Sequence, residues 1–281
     1  MDRNRVQQIG FAALTLSAIA VVAPILIVIG IVLVQGAKAI SWEFIFSMPF
    51  EGMKQGGILP AIVGTLILTV GTAVAAIPVG VAGTIYLAEY AKDTLITRAI
   101  RLAIVNLAGI PSIVYGLFGL GMFVLFLHMG TSILAGVLTL AIMTLPVIIS
   151  TSEEALRAVP MEFRTVIASL GGTRWQAIRH IVLPEALPGI ITGIILGLLR
   201  AAGETAPILF TVAAFYLPRL PRSPFDQVMA LPYHLYVIST QVPGMPVSVQ
   251  YGTALVLLIL VLSMNVAATV LRSYFRRRRQ W

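Results

Sequence analysis

An all-α, polytopic membrane protein of about six transmembrane helices is the fold class this sequence predicts. Three observations predict it: 58% of the 281 residues are hydrophobic, only 11% are charged, and long apolar runs recur from one end of the chain to the other. A soluble domain averages about 25% charged residues. A single soluble core cannot hide this much apolar surface, whereas a bilayer accepts it.

Spanning roughly 30 Å of hydrocarbon takes about 20 residues per helix. The sequence offers six such stretches, near 11–35, 58–87, 102–127, 131–150, 185–215 and 251–271. The first follows a basic start, as a secretory signal does. It is longer than the apolar core of a signal peptide and has no small-residue cleavage site, so it reads as a retained helix. Pro78, Pro188 and Pro207, with many glycines, predict kinks or tilt in the long second and fifth spans. The division that follows is 1–57 (first helix and first external segment), 58–272 (the helical core, with an informative loop at 154–184) and 273–281 (a basic tail).

Lysine and arginine placement sets the expected orientation. Arg3, Arg5, Lys92, Arg98, Arg101, Arg157, Arg164, Arg174, Arg179, Arg272 and Arg276 to Arg279 share one side, fourteen in all, against Lys38, Lys54, Arg219 and Arg222 on the other. Both termini are therefore expected in the cytoplasm. The net charge of +8 is scattered through short gaps between apolar runs, which argues against a nucleic-acid surface. The Arg276–Arg279 cluster suits topology and anionic headgroups. With no cysteine, disulfides and thiolate chemistry are excluded. His128, His180 and His234 lack metal-ligand spacing and read as loop or helix-end residues. No cofactor is implied.

The external segments 36–57 and 216–250 hold Trp42, Phe44, Phe46, Phe225, Tyr233, Leu235 and Tyr236 among prolines and glycines. They read as partly helical caps that shield the outer mouth or dock a partner. Aromatic anchoring at headgroup level is the alternative.

Between the fourth and fifth spans, Pro160 suits the first turn of a helix. Phe163, Val166, Ile167 and Leu170 recur at helical spacing and make one apolar face. Gly171 and Gly172 stop that helix, and Thr173 is placed to cap a second one, which is expected to run to Ile181 before Pro184 opens the next span. The predicted object is a protruding elbow whose apolar stripe needs a partner surface or the helix ends beneath it. Arg200 and Glu204 are the only charged residues deep in a predicted span, four apart and thus on one helix face. A central arginine presents a forked donor to a tetrahedral oxyanion. A purely structural pair is the alternative.

Gly171, nine intervening residues and Ile181-Val182-Leu183-Pro184 match the G-x9-I-x-L-P signature, and the chain resembles permease subunits of bacterial ATP-binding-cassette importers of type I fold. The resemblance implies that the elbow couples to a separate ATPase through Glu162, Phe163, Arg164, Val166, Ile167, Leu170, Gly171, Gly172, Trp175, Ile181, Leu183 and Pro184. Where the family has Glu-Ala-Ala, this chain has Thr165-Val166-Ile167, so Glu162 or Arg164 takes over the acidic contact's role or the contact is absent. Gly56 to Leu66, Glu154 to Pro160 and Arg200-Ala201-Ala202-Gly203-Glu204-Thr205-Ala206-Pro207 are similar to the phosphate branch of these permeases, and the Ala-Pro ending favours one of its two permease subunits over the other. That resemblance implies a pathway role for Arg200, Glu204 and Thr205. It also implies partners: a second, related permease chain, two ATPase subunits and an extracytoplasmic phosphate-binding protein. Permeases for molybdate or sulfate, a membrane-embedded enzyme and a passive channel are the competing readings. No G-x-x-x-x-G-K-[ST] occurs, so ATP hydrolysis is assigned to another chain.

Overall fold

The computed structural model describes residues 3–169 and 171–277. Its long helices are α1 (Arg3–Gly36), α3 (Leu59–Ile85), α6 (Ile133–Arg157), α9 (Leu183–Gly203) and α12 (Val247–Arg277). Between them lie the shorter α2 (Trp42–Phe46), α4 (Leu95–Ala108), α5 (Ser112–Gly119), α7 (Met161–Ser169), α8 (Arg174–Ala177), α10 (Ala206–Thr211) and α11 (Leu231–Thr240). Among the described residues five helical stretches are long and apolar enough to cross a bilayer, and a sixth crossing exists if α4 and the helix that α5 opens are counted as one bent span.

Two of the expected spans change form. The stretch expected at 102–127 bends by 104° between α4 and α5. Pro111 lacks an N–H and pushes Ile110 out of helical geometry. The Tyr115 hydroxyl donates to the Leu107 carbonyl at 2.8 Å and closes the corner. The stretch expected at 185–215 starts earlier and stops sooner. A π turn (Ile178–Val182) joins α8 to α9, so the helix is continuous from Arg174 to Gly203. Pro184 therefore lies inside a helix instead of opening one. It cannot donate to the preceding turn, and the wider π turn just ahead of it absorbs that defect. At the far end Glu204 is extended and Thr205 precedes α10, whose first turn contains Pro207.

The core forms where α3, α6 and α9 pack together. Ile148 of α6 is fully buried and is held on two sides by glycine. A β-carbon on Gly80 of α3 would stand 2.8 Å from its Cγ2, and one on Gly197 of α9 would stand 3.0 Å from its Cγ1. Small residues at such crossings let helices approach closely where lipid supplies no hydrophobic drive. Gly193 meets Thr151 one turn along and Gly189 meets Ala155 beyond it, so α9 runs antiparallel to α6. α12 packs on α9, and α1 packs on α12 with most of its apolar surface exposed.

One end of this bundle carries the α7–α8 elbow; the other carries a cap. The cap has its own apolar core of Phe44, Met53, Ile58, Met229, Leu231, Val237, Ile238 and Met245. It folds back onto the bundle: Leu231 N donates to Thr65 Oγ1 at 2.8 Å, and Ile133 N donates to the Asp226 carbonyl at 2.8 Å. Asp226 is held below the usual carboxylate range by the backbone N–H of Arg222 at 2.7 Å, with that of Ser223 adding to it. Of the external aromatics, Phe44 is buried, whereas Trp42, stacked on Phe46 at 5.0 Å, is 81% exposed.

His234 departs from expectation. It sits inside α11, buried, and its Nδ1 has no hydrogen-bond partner. Loss of hydration pushes its pKa down to about 4 from 6.5, because burial disfavours the charged form. His128 occupies a turn at φ 53°, as a loop residue should, while His180 is exposed within the π turn.

Two outcomes follow. Gly197→Leu overfills the contact with Ile148 and should destabilise the chain by about 1–3 kcal/mol; an unchanged thermal midpoint in detergent would show that the contact has slack. Between pH 6.5 and about 4 the unfolded chain takes up a proton that folded His234 refuses. Stability is therefore complete above pH 6.5 and declines as pH falls toward 4, by up to roughly 3 kcal/mol. Thermal midpoints at pH 7 and 5 should diverge less in His234→Leu than in the parent chain.

Candidate functional site

Two places combine charge, burial and a break in regular backbone. The first is the end of α9. Gly197 faces Ile148 and Thr144, and Ala201 shares a cluster with Leu140. Arg200 is therefore level with the eighth residue of α6, roughly 10 Å inside the N-terminal end of that helix at 1.5 Å per residue. It occupies the last helical turn of α9, not the midpoint of a span. Arg200 Nε donates to Glu204 Oε1 at 3.3 Å. Among the described residues its two Nη groups make no hydrogen bond, and the side chain keeps 34% of its surface. Glu204 is more enclosed, at 16%. It borders a cavity of about 10 Å³ between Thr65, Ala202, Ala230 and Pro232, which has room for one water. Thr205 begins the break before α10 and its side chain makes no cap. The three residues expected to act together are thus adjacent, with the contact between Arg200 and Glu204 made through Nε.

The second place is the elbow. α7 ends as expected: Gly171 adopts φ 77°, a backbone conformation that favours glycine, and Gly172 N donates to the Ile167 carbonyl at 2.9 Å. Thr173 caps α8 through a reciprocal box, accepting from Gln176 N at 3.3 Å while its own N–H donates to Gln176 Oε1 at 2.7 Å. The predicted apolar face divides. Phe163 packs inward on a cluster of Leu156, Val159, Val182, Ala186 and Ile190. Ile167 is half-buried. Leu170 and the side chain of Val166 lie outside the described residues. Met161 (66% exposed) and Trp175 (50%) face outward. Ile181, Leu183 and Pro184 are half-buried in the continuous α8–α9 helix.

Arg164, expected to face a partner, turns into the protein. Its Nη2 lies 2.8 Å from Glu89 Oε1 and its Nε 3.3 Å from the same oxygen. Nη1 donates to the Val159 carbonyl at 2.6 Å and Nη2 to that of Leu156 at 2.9 Å. Glu89 is 4% exposed and sits in a π turn, Tyr86–Tyr90, that extends α3. Glu162 remains exposed. Nearby, Glu153 accepts from Arg101 and Arg157, both at 2.8 Å, and Arg101 Nη2 donates to the Leu87 carbonyl at 2.7 Å. Arg174 lies 5.4 Å from the Tyr90 ring centre. Glu89, Arg101 and Glu153 were not legible as site residues. For Glu89 the available signal was a lone carboxylate among apolar neighbours at the end of a span, which demands a partner.

A bundle of membrane-length helices with a protruding, capped elbow and a half-buried arginine at a helix break defines a polytopic transport subunit. The chain belongs to the family described as binding-protein-dependent transport system inner membrane component, matched over residues 80–281. It is 34% identical over 264 residues to the Bacillus subtilis (strain 168) protein named probable ABC transporter permease protein YqgI, covering 89% of each chain. It is 37% identical over 226 residues to phosphate transport system permease protein PstA 1 of Mycobacterium tuberculosis (strain ATCC 25618 / H37Rv), covering 80% of this chain and 72% of that one. In fold it is similar to a chain from inward-facing conformations of the MetNI methionine ABC transporter, with a TM-score of 0.63, 18% identity, and coverage of 78% of this chain and 95% of that one.

Proposed function

We propose that this chain is a PstA-like membrane-spanning subunit of an ATP-driven phosphate importer, supplying half of the translocation pathway. The observation that carries the chemistry is Arg200, held by Glu204 through Nε, with neither Nη group hydrogen-bonded among the described residues, at a break in the bundle. A guanidinium fork matches two oxygens of a tetrahedral oxyanion, and a carboxylate behind it fixes its orientation and offsets the cost of a cation inside the membrane. Support for phosphate comes from relatives that carry it in their names, PstA 1 of M. tuberculosis at 37% identity and a probable phosphate permease of Methanocaldococcus jannaschii at 36%.

In this reading residues 58–272 are the permease core and the elbow end faces the cytoplasm with both termini. Energy comes from two ATPase subunits docked on the elbow, since the sequence has no phosphate-cradling loop of its own. A second, related permease chain completes the pathway. A phosphate-binding protein delivers substrate to the cap, where Trp42 stands exposed. Met161, Glu162 and Trp175 form the docking face.

In a reconstituted complex, Arg200→Gln should lower phosphate uptake by about tenfold or more, the scale of one lost charge-assisted contact, without loss of assembly. Uptake at the parent rate would remove Arg200 from the pathway. Competition by sulfate or molybdate as effective as that by phosphate would move the substrate to another oxyanion. Met161→Asp with Trp175→Asp should leave the chain folded and release the ATPase; full retention of the ATPase on co-purification would place docking elsewhere.

A further inference from the structure

We propose that Glu89 and Arg164 are a positioning pair that carries movement of α7 into α3, so that movement imposed on the elbow by a docked ATPase subunit reaches the helices around Arg200. The proposal rests on the reading of the elbow as the ATPase-docking element.

Packing is not all that holds α7. It is nine residues long, and a cavity of about 220 Å³ opens between it, α8 and the turn that holds Glu89, lined by Glu89, Met161, Arg164, Thr173, Arg174 and Ile178. Among the described side chains Phe163 packs on the cluster beneath it and Ile167 is half-buried. Across that gap runs the Arg164 guanidinium. It engages Glu89 through two nitrogens and binds the Leu156 and Val159 carbonyls at the end of α6. A forked contact fixes orientation as well as distance, and burial spares it from screening by salt. One rigid group thus joins α7, the end of α6 and the end of α3.

The receiving end is equally tied. The π turn that contains Glu89 offers its Leu87 carbonyl to Arg101, whose Nε is bound by Glu153 of α6. Arg174 on Tyr90 adds a second contact from the elbow. Nine residues back from Glu89, in the helix that its turn extends, lies Gly80, locked against Ile148. Displacing Glu89 therefore displaces α3 against α6 and α9, whose last turn carries Arg200.

The sequence contains no cysteine, which permits a direct test in the full complex with its other subunits made cysteine-free. Phosphate imported per ATP hydrolysed is read in proteoliposomes, with retention of the ATPase checked by co-purification. Glu89→Gln should keep the ATPase and continue to hydrolyse ATP while phosphate per ATP falls about tenfold, within the range for residues along a coupling route. Glu89→Cys with Arg164→Cys should be uncoupled in the same way and regain most of its coupling when a short bis-thiosulfonate reagent links the two thiols. That rescue distinguishes a mechanical tie from a structural charge pair. Unchanged phosphate per ATP in Glu89→Gln overturns the proposal, as does a linked double variant that stays uncoupled. Loss of the ATPase from Glu89→Gln also overturns it, because the pair would then shape the docking face. Failure of the docking reading itself shows separately, as ATPase retention by the Met161→Asp, Trp175→Asp chain.

Discussion

Ile148 can fill the space between α3 and α9 because neither Gly80 nor Gly197 has a side chain. In a bilayer the helices gain little from hiding apolar surface from one another, since lipid is as apolar as leucine. Close contact must supply the attraction, and close contact needs small residues on one side and a rigid knob on the other. Ile148 is such a knob, being β-branched and stiff at χ1. Everything else takes its level from this crossing. The antiparallel register that sets Gly189 at Ala155 and Gly193 at Thr151 carries Arg200 to the height of Leu140. The same crossing binds α3 to α6 just before α3 reaches Glu89.

Among the described residues, three buried or partly buried carboxylates near helix ends each have an arginine. Glu89 has Arg164, Glu153 has Arg101 and Arg157, and Glu204 has Arg200. Such pairs contribute little net stability once desolvation is counted, but removing one partner costs about 3–5 kcal/mol. Their value lies in specifying which helix ends meet. The Glu89–Arg164 and Glu153–Arg101 pairs cross between elements far apart in the chain and tie the elbow end together, while Arg157 adds a local contact to Glu153. The Arg200–Glu204 pair is also local, and longer, at 3.3 Å.

Each of the two breaks in helical backbone described above is braced by protein on one side. The 104° corner before α5 is closed by Tyr115, and the break at Glu204 is covered by Ala230 and Pro232 from the cap. Irregular backbone at membrane depth is tolerated only when buried in protein or lining a cavity. The cap is therefore part of the bundle's integrity as well as a lid: it returns into the outer half of the bundle to donate Leu231 N to Thr65.

Local chemistry was readable from the residues in order. Long apolar runs announced membrane helices, Gly171-Gly172 and Thr173 announced the end of α7 and the start of α8, and the spacing of Arg200 and Glu204 announced their pairing. These depend on neighbours a few positions away, where periodicity, capping and turn preference act. Only the tertiary structure decided that Pro184 lies within a continuous helix, that the fifth span breaks at Glu204, that His234 is buried, and that Arg164 turns inward to Glu89, 75 positions away. Each of those outcomes is set by which helix ends are brought together, and the sequence carries that information only through contacts between residues it keeps far apart.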